Sequence, residues 1–427
     1  MRLMKVLKLS SYFFPEQVSS SHLSRDLYET YKSIGIETEV YVPTPSRGLD
    51  AATIEKYKNI LEEKMYDGTV TVHRFPAMRE GHNILLRALR YIIVNIKQYA
   101  RGIKAKDVDV IYAGSTPPTQ GVLCALVKKK LSKRYGRNVP LVFSLQDVFP
   151  DSLVNAHITK EGSLLWKIGR RIEDYTYRNA DRIIVISEGI KANIIRKKAS
   201  PEKITVIPNW IDTDAVKPVP RSENSLFSEL GLDPKTFYVT YAGNLGMAQG
   251  IDTILEAAKL LQAESGIRFI IFGGGTKQDY YKAQVDQMPN VDLYPLQPPE
   301  RVSEVYSLGD VSIVSCKRGV GGSALPSKTL SIMATGTPVV LSYDRGSDLW
   351  NLIESYDCGF LADADDGEAL ARQIQYAYEN SSEVQRRGAN GLDLVMRSFS
   401  KQHGTEEHIK LLESVVGNHN NTVSCQS

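Results

Sequence analysis

Tyr238-Val-Thr-Tyr-Ala-Gly-Asn-Leu-Gly-Met-Ala-Gln-Gly250, continued by Ile251-Asp-Thr-Ile-Leu-Glu-Ala-Ala258, reads as a β-strand, a glycine-rich turn and the start of a helix. A short apolar, β-branched run bounded by glycines is a strand buried on both faces. Gly243, Gly246 and Gly250 let the backbone approach a bound group closely, and the free amides at the following helix start favour an anion such as phosphate. The spacing is GxxGxxxG rather than the dinucleotide fingerprint, and no acidic residue stands where that fingerprint holds a ribose. A tight strand-to-helix turn with no ligand explains the same residues.

Outward from this turn, strands and helices alternate in both directions. After it come apolar runs at Arg268–Phe272, Val291–Tyr294, Val311–Cys316 and Pro338–Ser342, each followed by a turn or a helix. Before it stand Lys5–Phe13, Thr38–Val42, Val108–Ala113, Pro140–Leu145 and Arg182–Ile186, with helical periodicity at Ser21–Ile34 and near 85–101, 120–135 and 163–180. Such alternation predicts parallel, doubly wound sheets. A polar stretch with Pro218, Pro220, Ser222 and Asn224 reads as a hinge over 213–225. The expected architecture is α/β, with two Rossmann-like domains facing each other across a cleft. The first covers 1–213 and the second 226–395. A closing helix over 396–416 and a disordered tail over 417–427 follow. Further helices are expected at 366–379 and 383–415.

With 427 residues, 42 % of them hydrophobic and 24 % charged, the chain is an ordinary globular protein of two-domain size. Its net charge of +3 conceals an asymmetry. Residues 1–215 hold 34 Lys or Arg against 23 Asp or Glu, a net of +11, and the remainder holds 18 against 26, a net of −8. The basic half fits an anionic surface or substrate, and a solvated surface fits as well. Cys124, Cys316, Cys358 and Cys425 form no CxxC pair, so no zinc site or disulfide framework is expected. Charges interrupt what would be a signal peptide's apolar core, and no run of 18 apolar residues is present. A cytoplasmic location is expected.

Other loops carry candidate chemistry. Lys317-Arg-Gly-Val-Gly-Gly-Ser-Ala-Leu-Pro-Ser-Lys328 ends at Pro326, a helix starter, so Ser327 and Lys328 fall in the first helical turn. A lysine there opposes the helix dipole unless an anion lies beside it. Gly273-Gly-Gly275 follows a strand, and Gly274 can approach a ligand. Asp147, in Phe143-Ser-Leu-Gln-Asp147, stands just past a strand's carboxyl end. The triplets Asp107-Val-Asp109, Asp212-Thr-Asp214 and Asp363-Ala-Asp365 read as structural, and no metal or other cofactor is expected.

These stretches together resemble the family 4 glycosyltransferases of the GT-B fold. The resemblance rests on Ile204-Thr-Val-Ile-Pro-Asn-Trp-Ile-Asp212, the Tyr241–Gly250 turn and Leu325-Pro-Ser-Lys-Thr-Leu-Ser-Ile-Met-Ala-Thr-Gly-Thr-Pro-Val-Val340, and extends from Ser10 to about 415. Ser115-Thr-Pro-Pro-Thr119 and Gln146-Asp-Val-Phe-Pro150 are similar to a branch assembling bacterial O-antigen, capsule or exopolysaccharide, which includes N-acetyl-fucosaminyltransferases. The resemblance implies retaining, metal-independent transfer of a hexosyl or N-acetylhexosaminyl group from a nucleotide diphosphate sugar, usually UDP-linked. The acceptor would be lipid-linked or a growing glycan, and the protein peripheral on the inner face of the cell membrane. No nucleic-acid partner is implied.

On that resemblance Lys328 and Asp147 are the catalytic candidates. Gly243, Asn244, Gly246, Gln249, Gly274, Arg318, Ser327 and Ser331 would bind the donor, and Ser19, Ser20 and Ser21 would form an acceptor or phosphate loop. The sequence departs from the family's pattern at three places. Ser331 and Ser323 occupy the positions of two glutamates, Gln249 stands near a frequent lysine, and serines 19–21 replace a glycine pair. These departures also suit a nucleotide-sugar-binding partner without catalysis, and a UDP-sugar epimerase on the same fold is a further alternative.

Overall fold

A computed structural model of the chain describes residues 4–16, 21–80, 84–155, 158–322 and 325–423. It divides into two compact units, residues 1–207 with 405–427 and residues 208–404.

The first unit is built on one sheet. Its strands are β1 (Lys5–Leu9), β2 (Glu37–Pro43), β3 (Glu62–Met65), β4 (Val70–Phe75), β5 (Val110–Gly114), β6 (Leu141–Leu145), β7 (Arg182–Val185) and β8 (Ile204–Val206), in the order β3-β4-β2-β1-β5-β6-β7-β8. All pairs are parallel except β3 with β4. That antiparallel edge was illegible in the sequence, because Glu62-Glu-Lys-Met65 lacks the apolar run of a buried strand. β1 ends at Leu9, short of the expected Phe13. Tyr12 and Phe13 are nonetheless buried, and Phe13 packs its ring 5.6 Å from that of Tyr28. Leu7, Leu9, Ile111, Leu141 and Ile183 are fully buried, and they anchor a core shared with the helices Gln120–Tyr135 and Glu188–Arg196.

The second unit has an all-parallel sheet of β9 (Phe237–Asn244), β10 (Ile267–Gly274), β11 (Val291–Tyr294), β12 (Val311–Ser315), β13 (Val339–Tyr343) and β14 (Gly359–Asp363), in the order β11-β10-β9-β12-β13-β14. This is the doubly wound order whose direction reverses between the first and fourth strands, here β9 and β12. Ligands of such sheets bind at the carboxyl ends of the strands at that reversal.

Three expectations about connections change. The stretch expected as a hinge is fastened to its own unit: Val216 is buried, and Lys217 N and Val219 N donate to Ser303 Oγ and Ser307 Oγ at 3.2 and 3.0 Å. The helix expected over 383–415 is two helices, Ser381–Leu394 and Lys401–Val423, joined by a π turn at Val395–Phe399. Ser400 is extended there because Ile211 pairs with the chain on both sides of it: Ile211 N donates to Phe399 O at 2.9 Å, and Lys401 N to Ile211 O at 2.8 Å. The last helix runs through the 417–423 stretch expected as tail. From Thr405 it belongs to the first unit, where His408 is buried with Nδ1 3.3 Å from Tyr31 Oη.

Candidate functional site

The quoted turn of the second unit leaves β9 at its carboxyl end. Gly243 has φ 153°, and a Cβ there would lie 3.3 Å from Tyr241 Oη and 3.8 Å from Lys328 Nζ. Gly250, at φ 63°, opens the helix Ile251–Leu260 and leaves room for the carbonyl of Cys316. After β10, Gly275 has φ 142°, and a Cβ would fall 2.2 Å from Asn244 Oδ1. Both turns therefore need glycine for conformation and for space.

Pro326 precedes the helix Ser327–Ala334, which has no side-chain cap. Its first turn carries Lys328, whose Nζ is sealed from solvent and has no hydrogen-bond partner among the described residues. The amine lies 4.3 Å from the centroid of the Tyr241 ring. Burial pulls its pKa from 10.5 down to about 8, with Cys316 acting weakly the other way. A buried ammonium without a carboxylate is costly, and an anion arriving beside it removes that cost.

Gly243, Asn244, Gln249, Ser327 and Lys328 line one cavity of about 410 Å³ at the carboxyl edge of β9 and β10. The rest of its lining is largely apolar, with Phe272, Leu296, Pro298, Pro299, Val302 and Tyr306. Sequence reading missed that part. Its signal was Leu296-Gln-Pro-Pro299 after β11, a proline-rich strand-to-helix loop at the same sheet edge as the glycine turns. The larger part of the lining is thus suited to a flat apolar group and the smaller, polar part to an anion.

The remaining candidates lie apart from this lining. Gly246 and Gly274 shape the turns: Leu245 N donates to Gly274 O at 2.8 Å, and a Cβ on Gly246 would meet Asn244 Nδ2 at 2.7 Å. Arg318 is turned to the neighbouring strand end, with Nη2 on Ala364 O and its amide on Asp365 Oδ2, both at 2.9 Å. Lys317 pairs with Asp252 and Asp365. Ser331 sits one turn beyond Ser327 on the same helix and does not line the cavity. In the first unit, Asp147 is exposed just past the end of β6, and Ser21 opens the helix Ser21–Ile34. Ser19, Ser20 and Ser323 lie outside the described residues.

The three Asp-x-Asp triplets are occupied structurally. Asp109 accepts from Lys5 N and pairs with Arg137, Asp212 accepts from Asp214 N and Ala215 N, and Asp363 pairs with Arg345. Among the described residues no helix is long and apolar enough to cross a membrane.

Residues 23–215 match the family model described as Glycosyltransferase Family 4, and residues 222–393 the one described as Glycosyl transferases group 1. The probable glycosyltransferase WbjE of Pseudomonas aeruginosa is 29 % identical over 273 residues, 64 % of this chain and 66 % of that protein. The putative colanic acid biosynthesis glycosyl transferase WcaI of Escherichia coli K12 is 27 % identical over 261 residues, 60 % of this chain and 64 % of that protein. The chain thus matches slightly under two thirds of the length of these relatives. The structure of Anabaena Alr3699/HepE in complex with UDP and glucose superposes with a TM-score of 0.67 at 19 % identity, covering 96 % of this chain and all of that one. With a Family 4 model over its first half, a group 1 model over its second and two Rossmann-like sheets, the chain belongs to the family 4 glycosyltransferases of the GT-B fold.

Proposed function

We propose that the protein is a retaining, metal-independent glycosyltransferase of bacterial surface polysaccharide synthesis. It moves a hexosyl or N-acetylhexosaminyl group from a UDP-sugar to a lipid-linked or growing glycan acceptor. One observation carries the reading: an unpartnered, buried Lys328 amine at a helix start, on the wall of a cavity beside Gly243 and Ser327. Breaking the bond between sugar and diphosphate leaves negative charge on the diphosphate while the sugar becomes oxocarbenium-like. A fixed cation and helix-start amides stabilise that charge. The apolar wall suits a base, and HepE was solved with UDP. WbjE, by its name a probable glycosyltransferase, supports glycosyl transfer, and WcaI, named for colanic acid biosynthesis, supports a role in polysaccharide assembly.

In this reading Asp147 orients the acceptor hydroxyl or steadies the developing positive charge on the sugar. The basic first half works against the anionic inner face of the cell membrane, where a lipid-linked acceptor is held. The test is thermal stabilisation by a panel of UDP-, GDP- and dTDP-sugars, followed by UDP release with and without a glycolipid acceptor. UDP sugars should stabilise most, and release should depend on acceptor. Donor conversion without acceptor would make the protein an epimerase, and stabilisation without any turnover a binding partner.

A further inference from the structure

The helix Ile84–Gly102 is turned inside out. Its sheet-facing row is Arg90, Val94 and Gln98, which are 1 %, 0 % and 0 % exposed. Its outward row holds Leu89, Ile92 and Ile96, which are 46 %, 56 % and 64 % exposed. An amphipathic helix on a soluble domain normally buries the apolar row. Here the inward polar groups are fixed by non-local acceptors. Gln98 Nε2 donates to Ser10 O at 2.7 Å and Tyr41 O at 3.0 Å. Arg90 Nε donates to Met78 O at 2.9 Å, with Glu80 3.7 Å from its Nη1. Rotating the helix to bury Ile92 and Ile96 would break these bonds, so the apolar row is held outward.

Two further helices of the same unit also expose apolar side chains. The helix Gln120–Tyr135 packs beside Ile84–Gly102, with Asn95 Nδ2 donating to Thr119 Oγ1 at 2.6 Å. The helix Leu164–Asn179 packs in turn against Gln120–Tyr135, with Thr176 against Gly121. Leu126, Lys129, Lys130 and Lys133 remain exposed on the middle helix, and Leu164 and Ile168 are 75 % and 44 % exposed on the third. The three helices carry 13 Lys or Arg, of which Arg90 faces inward and Arg87 and Lys128 pair with Glu80 and Asp181, against two carboxylates, Glu173 and Asp174, with both of which Arg170 pairs. Exposed apolar side chains among cations without competing acids match an anionic lipid interface, where apolar groups enter the acyl boundary and amines meet phosphates.

We propose that these three helices form the membrane-docking face of the first unit and that its partner is an anionic lipid bilayer. The inference rests on the reading that the acceptor is held at a membrane, and it assigns that contact to named side chains. The full chain should co-sediment with phosphatidylglycerol-containing vesicles at low salt and far less with phosphatidylcholine alone. The variants Ile92→Asp/Ile96→Asp and Lys129→Ala/Lys130→Ala should each bind about tenfold or more weakly. Ile96→Gln, a milder change, should shift in the same direction. Leu260→Asp, at a 55 % exposed position in the second unit, should bind as wild type. UDP release with a water-soluble acceptor should be unchanged in all of them, which separates failure of docking from failure of the proposed transfer. Equal vesicle binding by wild type and Ile92→Asp/Ile96→Asp, or no binding by either, would overturn the assignment. So would a wild-type dimer that Ile92→Asp/Ile96→Asp dissociates, since a second copy would then cover the face.

Discussion

Lys328 Nζ stands over the face of Tyr241, 4.3 Å from the ring centroid, with no carboxylate partner among the described residues. Tyr241 cannot back away, because it is 1 % exposed and its hydroxyl donates to Asn244 O at 3.0 Å. The ring face partly offsets the desolvation of the amine without neutralising it. The cation is therefore held ready for an anion and is not satisfied by the protein itself.

Replacing this amine should cost turnover and leave the fold intact. Lys328→Ala is expected to lower kcat about 100- to 1000-fold, the effect of removing one preorganised group from developing negative charge. Its melting temperature should match or exceed that of wild type, because an unpaired buried charge is gone. Steady-state kinetics with the genuine donor, alongside thermal melts, check both halves. Near-normal turnover would reduce Lys328 to a structural residue.

The same amine sets a pH dependence. Its folded pKa of about 8 lies below the unfolded value of 10.5, so the unfolded chain binds more protons between those values. Lys328 therefore destabilises the fold fully below about 8, and that penalty fades as pH rises toward 10.5. A bound diphosphate should push the pKa back up. UDP binding should take up protons at about pH 9, well above the titration of UDP's own terminal phosphate at about 6, and far fewer in Lys328→Ala. Calorimetric titrations in buffers of different ionisation heat measure this uptake directly, and equal uptake by wild type and Lys328→Ala would contradict it.

Gly275→Ala should weaken both the fold and the site. At φ 142° the new methyl would overlap Asn244 Oδ1 and press on Leu245 N at 3.2 Å. Strain at such a backbone position costs about 1–3 kcal/mol. Because Asn244 lines the cavity, donor affinity should fall as well. Urea unfolding and UDP titration read the two effects, and unchanged values in both would show that the turn relaxes freely.

Ser331→Ala should raise the donor KM modestly and keep kcat within about tenfold, the pattern of lost uniform binding. The expectation rests on Ser331 lying four residues past Ser327, on the same face of one helix. A neutral hydroxyl contributes about 1 kcal/mol where a carboxylate would give about 1.5–3. Kinetics with UDP-sugar and its 2′-deoxy analogue decide the matter. Equal discrimination by wild type and variant would remove Ser331 from the ribose.

Local sequence determined the strand–turn–helix grammar. Apolar runs at β9, β10 and β12, the glycines at 243, 250 and 275 and Pro326 before Lys328 each act through neighbours in the chain, so they could be read in order. Tertiary packing decided which polar residues are used and where they point. Lys317, Arg318 and Lys328 looked alike as cations around one glycine loop. Folding gives the first two carboxylate or carbonyl partners just past the end of β14 and leaves the third unpaired among the described residues. The helix Ile84–Gly102 has the same limit, since its period predicts two faces and not which one is buried. That choice was made by the carbonyls of Ser10, Tyr41 and Met78, which lie elsewhere in the chain and claim Gln98 and Arg90. Hydrophobic period is a local property, whereas satisfying a buried donor depends on acceptors that only the folded chain brings near.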